Sequence, residues 1–364
     1  MKVFFYSHTL RPGGAEKQCA LIAADIKKRY GYESVVILNW GDGAKPEYIQ
    51  YLNEVGVELV VLPRNPVRRL LKLYLIFRAN RDAVLFNYLT YPDFVGALVA
   101  RLAGLERVVG GIETDRLFGV KFIAEKISHR WLSKKTICNS YKAYEFFIAR
   151  NFEKARMVIM PSAIAIVPND RVVSDGTRSG GCIDCVCINI ICVGRFVPAK
   201  NYIAWVDVIR EVCNKRGNVR ACIIGYGALE KDIRAYISRR GLSDVISILP
   251  GDSTDIGEIL NAADIYFSTS IREGTSNTIL EAMGASLPVV TTNVGDNSIM
   301  IEDGCSGYVR ETKDIPGLTE SLLMLIDNPD LRHKFGMRAK EIVMSKYSLE
   351  KISADYDNLI KSLQ

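Results

Sequence analysis

The stretch REGTSNTILEAMGASLPVVTT, residues 272–292, places two glutamates, Glu273 and Glu281, on either side of a helix start. Thr275, Ser276 and Asn277 are all N-cap residue types, and TILEAMG supplies good helix formers closed by a glycine. The pattern predicts a helix beginning near Asn277. It is preceded by the β-branched and aromatic run ADIYFS and followed by LPVVTT, so strand, helix and strand succeed one another. The first amides of such a helix point back toward the loop carrying Glu273, and free N-terminal N–H groups favour an anion, above all a phosphate. An extended chain from Glu273 to Asn277 and one helical turn from there to Glu281 set the two carboxylates roughly 10–15 Å apart. That span suits a nucleotide sugar, with one glutamate at sugar hydroxyls, the other at ribose hydroxyls and the helix end at the pyrophosphate. A plainer reading stays open at this point: Thr278-x-x-Glu281 matches a capping box, and Glu273 can be a solvated loop acid.

The same alternation runs along the whole chain. KVFFYS, a helical AEKQCALIAADIKKRY, ESVVIL, VELVVL, DAVLF, RVVGG, KTIC and RMVIM fill the first half. CINIICVG, VRACIIG, DVISIL, ADIYFS, LPVVTT and SGYV, with helices between them, fill the second. Strands alternating with helices mean parallel βαβ units, so the fold class is α/β with two Rossmann-like, doubly wound domains facing across a cleft. The amino-terminal domain is expected over residues 1–165, a Pro-, Ser- and Gly-rich linker over 166–179 and the carboxy-terminal domain over 180–345. A last helix over 346–364 is expected to pack back on the first domain. At 364 residues the chain is long enough for two cores.

Composition excludes several classes. Hydrophobic content of 48% with 24% charged residues is that of a soluble globular chain. No run of eighteen apolar residues occurs, and MKVFFYSHTLRPGG passes from a short apolar run straight into a turn, so neither a transmembrane helix nor a signal peptide is expected. Nine cysteines point to reduced thiols and a cytoplasmic setting. Cys182 and Cys185 are spaced C-x-x-C, yet no second pair stands at usable distance, and with Cys187 and Cys192 they read as small apolar residues of a buried strand. Gly225 and Gly227 in GYGALE lack the third glycine of a dinucleotide fingerprint, since Glu230 stands there. Asp355 and Asp357 form a D-x-D in the terminal helix, read as a solvated face, and His129 and His333 are likewise read as exposed.

Charge is uneven. Residues 1–170 carry 25 Lys+Arg against 16 Asp+Glu, a balance of +9 on a chain of +6 overall. The amino-terminal domain is therefore expected to face an anionic partner. No stacking aromatics or recognised motif point to nucleic acid. RNPVRRLLKLYLIFRANR, residues 64–81, has six basic residues and no acid around an apolar body, the pattern of a helix lying on an anionic membrane surface; an ordinary core-facing helix with a basic outer side reads the same way.

Site signals collect at strand ends: GGAEK (13–17), GRFVPAKN (194–201), GYGALE (225–230) and the stretch at 272–292. In this order, across two α/β domains, these motifs resemble the family 4 glycosyltransferases, retaining enzymes of the GT-B fold. The resemblance spans nearly the whole chain and is strongest over 190–310. It implies that a hexose-type sugar passes from a nucleotide-diphosphate sugar to a glycan or polyprenyl-diphosphate-linked acceptor, in bacterial surface polysaccharide assembly (O-antigen, capsule or exopolysaccharide). It implies Glu273 at the donor sugar and Glu281 at the ribose. Arg195 and Lys200 would neutralise the leaving diphosphate, with Gly13, Gly14, Gly274, Ser276, Asn277 and Thr278 adding donor contacts. No cofactor and no metal are implied, and the enzyme would sit at the cytoplasmic face of the inner membrane. Two departures concern the acceptor side: GIETD, with Glu113 and Asp115, stands where many members carry a histidine, and PSAI (161–164) replaces the usual linker signature. His8, at the end of the first strand, is a further acceptor-side candidate. The competing readings are a GT-B sugar-nucleotide epimerase and a non-catalytic glycosyltransferase-like partner subunit.

Overall fold

The computed structural model describes residues 1–114, 116–165, 187–251 and 255–364. Asp115, the 166–179 linker and the pair Cys182 and Cys185 lie outside them. Two compact units form: Met1–Ala165 together with Tyr347–Gln364, and a second that ends at Lys346.

The first unit is built on a sheet of seven parallel strands in the order β3-β2-β1-β4-β5-β6-β7. The strands are β1 (Lys2–Ser7), β2 (Glu33–Leu38), β3 (Glu58–Val61), β4 (Val84–Asn87), β5 (Arg107–Ile112), β6 (Lys135–Cys138) and β7 (Met157–Ile159). Between them run α1 (Gly14–Tyr30), α2 (Pro46–Glu54), α3 (Pro66–Arg78), α4 (Thr90–Ala103), α5 (Gly119–Ile127), a π turn at Ser128–Leu132 and α6 (Tyr141–Ile148). Successive strand residues point to opposite faces. Val3 and Phe5 of β1 enter the layer beneath α1, whereas Phe4 and Tyr6 enter the layer with Leu73 and Phe77 of α3 and Ala97 and Ala100 of α4. Both faces are covered, which is why the strand reads as an unbroken apolar run.

The second unit has six parallel strands in the order β10-β9-β8-β11-β12-β13. They are β8 (Ile188–Val193), β9 (Val219–Gly225), β10 (Ile246–Pro250), β11 (Ile265–Phe267), β12 (Val289–Thr292) and β13 (Gly307–Arg310). The helices are α7 (Tyr202–Lys215), α8 (Glu230–Arg239), α9 (Ile256–Ala262), α10 (Asn277–Gly284), α11 (Asn297–Met300), α12 (Ile315–Asp327) and α13 (Pro329–Lys346). In this sheet β8 lies between β9 and β11, with Ile190 opposite Ile265 and Cys192 opposite Ile223. Cys192 is buried in that strand, and Trp205 of α7 donates its indole N–H to the Phe267 carbonyl at 3.0 Å.

The chain then returns to the first unit as α14 (Leu349–Ser362), whose N-cap Ser348 accepts from the Lys351 amide. Ile352, Tyr356, Leu359 and Ile360 of α14 join the same core as α1, each contributing roughly 1.5–3 kcal/mol of apolar burial. Asp357 is not on a solvated face. It is buried and accepts a hydrogen bond from Tyr32 at 2.7 Å, because α14 packs its polar Asp357 toward a hydroxyl of the neighbouring strand start. Asp355 faces outward and pairs with Lys351. His129 also differs from expectation. It is buried in the π turn, held between Thr136 Oγ1 (2.9 Å) and the Glu153 amide (2.9 Å), and burial lowers its pKa to about 4. Arg69 of α3 is buried as well: it donates to the carbonyls of Pro63 and Arg64 and lies 4.0 Å over the Trp40 ring.

Candidate donor site and its relatives

The loop after β8 carries Gly194 to Asn201. A short 3-10 turn over Pro198–Lys200 leads to Asn201 in the left-handed region (φ 50°), which turns the chain into α7. Tyr202 donates to the Gly194 carbonyl at 2.8 Å and closes this loop at its base. Gly225, at the end of β9, is tightly enclosed: a Cβ there would fall 2.0 Å from the Gly194 carbonyl oxygen. Its role is therefore to let the two strand-end loops pack against each other. Arg195 stands exposed at the rim of this loop, while Phe196 beside it is fully buried.

β8 and β11 are neighbours, so the loop after β11 meets the loop after β8. Lys200 Nζ lies 2.5 Å from Glu273 Oε1, with the two side chains only 18% and 15% exposed. Ser270 donates to the same oxygen at 2.7 Å, and Thr292 of β12 in turn donates to the Ser270 carbonyl. A carboxylate oxygen held by a cation and a hydroxyl is fixed in orientation. The Glu273-Gly274 backbone is clamped from below. Asp296 donates its amide to the Gly274 carbonyl (3.1 Å) and accepts from Thr275 Oγ1 (2.9 Å). Gly295 has φ 52°, and a Cβ on it would lie 2.3 Å from the Gly274 carbonyl oxygen.

Helix α10 begins at Asn277, with Ser276 as N-cap and no side-chain cap hydrogen bond. Ser276 Oγ is instead 3.3 Å from Thr278 Oγ1, which also accepts from the buried Tyr266 hydroxyl at 2.8 Å. The capping box does not form, because Glu281 is the fifth residue of the helix and a box needs the third. No N-cap side chain therefore covers the first-turn amides of α10, the arrangement that accepts an anion. Lys200, Glu273, Gly274, Ser276, Asn277 and Thr278 thus collect around one loop and helix start. Glu281 sits one turn into the helix, half-buried.

Ser270, Tyr266, Thr292, Gly295 and Asp296 were not singled out from the sequence. The Gly-Asp pair three residues past the run LPVVTT was the available signal, since such a pair marks a tight turn that brings the backbone back on a neighbouring loop.

In the first unit, Gly13 is the N-cap of α1, and the Glu16 carboxylate lies close over it; Gly14 is exposed. His8 accepts from the Trp40 indole at 3.1 Å, and its Nδ1 is 3.3 Å from Asn39 Nδ2. Burial, followed by the charges of Arg69 and Arg11, lowers its pKa, so the ring is neutral near pH 7. Glu113, just past β5, is half-buried and accepts from Asn139 Nδ2 at 2.9 Å. Burial pushes its pKa up to about 7, with the charge of Glu16 adding to the rise against the Asn139 hydrogen bond.

Residues 188–342 match the model of the family Glycosyl transferases group 1. A poly(ribitol-phosphate) alpha-N-acetylglucosaminyltransferase of Staphylococcus aureus is 31% identical over 171 residues, 47% of this chain and 34% of that protein. A UDP-Gal:alpha-D-GlcNAc-diphosphoundecaprenol alpha-1,3-galactosyltransferase of Escherichia coli is 22% identical over 308 residues, 81% of this chain and 76% of that protein. The matched segment therefore spans about a third of the first relative and three quarters of the second. Among solved structures, Anabaena Alr3699/HepE in complex with UDP and glucose superposes over the whole of both chains with a TM-score of 0.83 at 17% identity. With two parallel Rossmann-like units and this agreement, the chain has the fold of the GT-B glycosyltransferases, and its residues 188–342 match the model of the glycosyl transferases group 1 family.

Proposed function

We propose that the protein transfers a hexose-type sugar from a nucleotide-diphosphate sugar to a glycan or polyprenyl-diphosphate-linked acceptor, with retention of anomeric configuration, in bacterial surface polysaccharide assembly. The observation that carries this reading is the Lys200–Glu273 pair beside the uncapped start of α10, inside the segment that matches the family model. In the transfer, the bond from the anomeric carbon to the diphosphate breaks and negative charge grows on the phosphate oxygens. The first amides of α10, Lys200 and the exposed Arg195 stabilise that charge without a metal. Glu273 orients the sugar through its hydroxyls, Glu281 takes the ribose, and the acceptor oxygen attacks the same face while its proton passes to the departing phosphate. The two relatives support the acceptor class: one is named for a poly(ribitol-phosphate), the other for a diphosphoundecaprenol.

The acceptor class and the +9 balance of residues 1–170 support a peripheral position on the cytoplasmic face of the membrane. Among the described residues, no helix is long and apolar enough to cross a membrane. A thermal-shift panel of nucleotide sugars tests the donor reading, since a ligand at 100 times its dissociation constant stabilises by roughly 2.7 kcal/mol. No shift with any nucleoside diphosphate or its sugars would remove the proposal. Transfer is expected to persist in excess EDTA, and strict dependence on added Mg2+ or Mn2+ would refute the metal-free step.

A further inference from the structure

Helix α5 and the π turn after it turn polar groups inward beside Phe122, which packs on Phe147 and Phe152, and leave an apolar stripe outside. An ordinary surface helix sends its apolar stripe inward. Here Glu125, Ser128 and His129 are buried, while Val120, Ile123, Ile127 and Trp131 are 83, 57, 40 and 67% exposed. These four recur at spacings of three or four residues and form one outward stripe. The inward carboxyl of Glu125 faces Asp93 of α4, and burial beside that second acid holds Glu125 protonated, with its pKa well above the ordinary value.

Cations prevail along this segment, although one of them, Lys134, pairs with Glu106. Residues 116–135 carry six cations, and their single acid is the buried Glu125. Arg130 lies 5.4 Å over the Trp131 ring, so an amphipathic aromatic and a guanidinium share the border of the stripe. Aromatic rings with basic neighbours are the composition of a membrane–water interface. A second copy of the chain fits poorly, because a two-fold contact would set this cationic patch against itself.

We infer that the outward stripe of Val120, Ile123, Ile127 and Trp131 inserts into the surface of an anionic lipid bilayer, and that this stripe rather than the basic helix α3 is the apolar anchor. The inference rests on the membrane reading above and names the face that makes the contact.

The test is flotation of the full chain with phosphatidylcholine vesicles, with and without phosphatidylglycerol, alongside tryptophan fluorescence. Wild type is expected to float with phosphatidylglycerol, and its emission to shift blue; Trp131→Phe is expected to abolish that shift. A Val120→Asp/Ile123→Asp variant is expected to lose at least about tenfold in partitioning, because a carboxylate is costly in the bilayer. Its melting temperature and its stabilisation by nucleoside diphosphate are expected to stay at wild-type values. If wild type floats but the double variant floats equally well, this face is not the anchor, although the membrane reading stands. If wild type does not float at all, the membrane reading falls and the inference with it. If light scattering shows a wild-type dimer that the double variant breaks, the face is a protein interface and the inference is overturned.

Discussion

Replacing Glu273 by Gln removes one charge from a pair that is mostly hidden from water. Oε1 receives both Lys200 Nζ at 2.5 Å and the Ser270 hydroxyl at 2.7 Å. The amide oxygen of Gln keeps the Ser270 bond and loses the charge-assisted part of the Lys200 bond, about 1.5–3 kcal/mol. Lys200 is left as a largely covered cation without its counter-charge. A net loss of about 1–2 kcal/mol is expected in the free protein, which for a domain of this size lowers the melting temperature by roughly 2–8 °C. A bound diphosphate brings a new counter-charge to the released ammonium. Nucleoside diphosphate is therefore expected to bind Glu273→Gln as tightly as wild type, or up to about tenfold more tightly, and to stabilise the variant by more degrees. Transfer is expected to fall at least about a hundredfold, since the group that orients the sugar is gone. Glu281→Gln is the contrast, with nucleotide affinity itself weakened. Calorimetric titration of both variants with the diphosphate, beside a transfer assay, measures the difference. Equal loss of nucleotide affinity in the two variants would refute the division of roles and the claim that Lys200 serves Glu273 and the phosphate in turn.

Three further outcomes follow from the packing. Gly295→Ala puts a Cβ 2.3 Å from the Gly274 carbonyl at a φ of 52°, so it is expected to cost about 1–3 kcal/mol and to displace the Glu273 loop; denaturant unfolding and donor KM both register it. Glu113, with its pKa raised to about 7, binds a proton in the folded state that the unfolded chain releases at a lower pH. Its contribution is full below about 4.5 and is lost as pH rises through 7, so Glu113→Gln is expected to raise stability at pH 8 by about 1–3 kcal/mol and to flatten the melting profile over that window. Arg68→Glu, on the exposed side of α3, is expected to leave the melting temperature nearly unchanged. Arg69→Glu is expected to destabilise by several degrees, because it breaks two bonds to carbonyls and the contact with Trp40.

Much was legible from the chain alone, because the signals were local. The start of α10 at Asn277 follows from cap-type residues before good helix formers, and the parallel sheets follow from apolar runs separated by helical patterns. The basic excess of the first half needs only counting. Tertiary structure decided everything that depends on which side of an element faces inward. Arg69, His129 and Asp357 looked like surface residues because their types usually are, yet each is buried where a Trp ring, a hydroxyl or a backbone amide satisfies it. The outward stripe of α5 was hidden for the same reason: an apolar period shows that a helix has two faces, and only the buried Glu125 shows which one is inside. The Lys200–Glu273 pair spans 73 residues of chain and exists because β8 and β11 are paired side by side, which sets their loops within reach of each other. Local propensity fixes elements over a few residues, whereas the partner of a buried charge is set by strand order, and strand order is a property of the whole sheet.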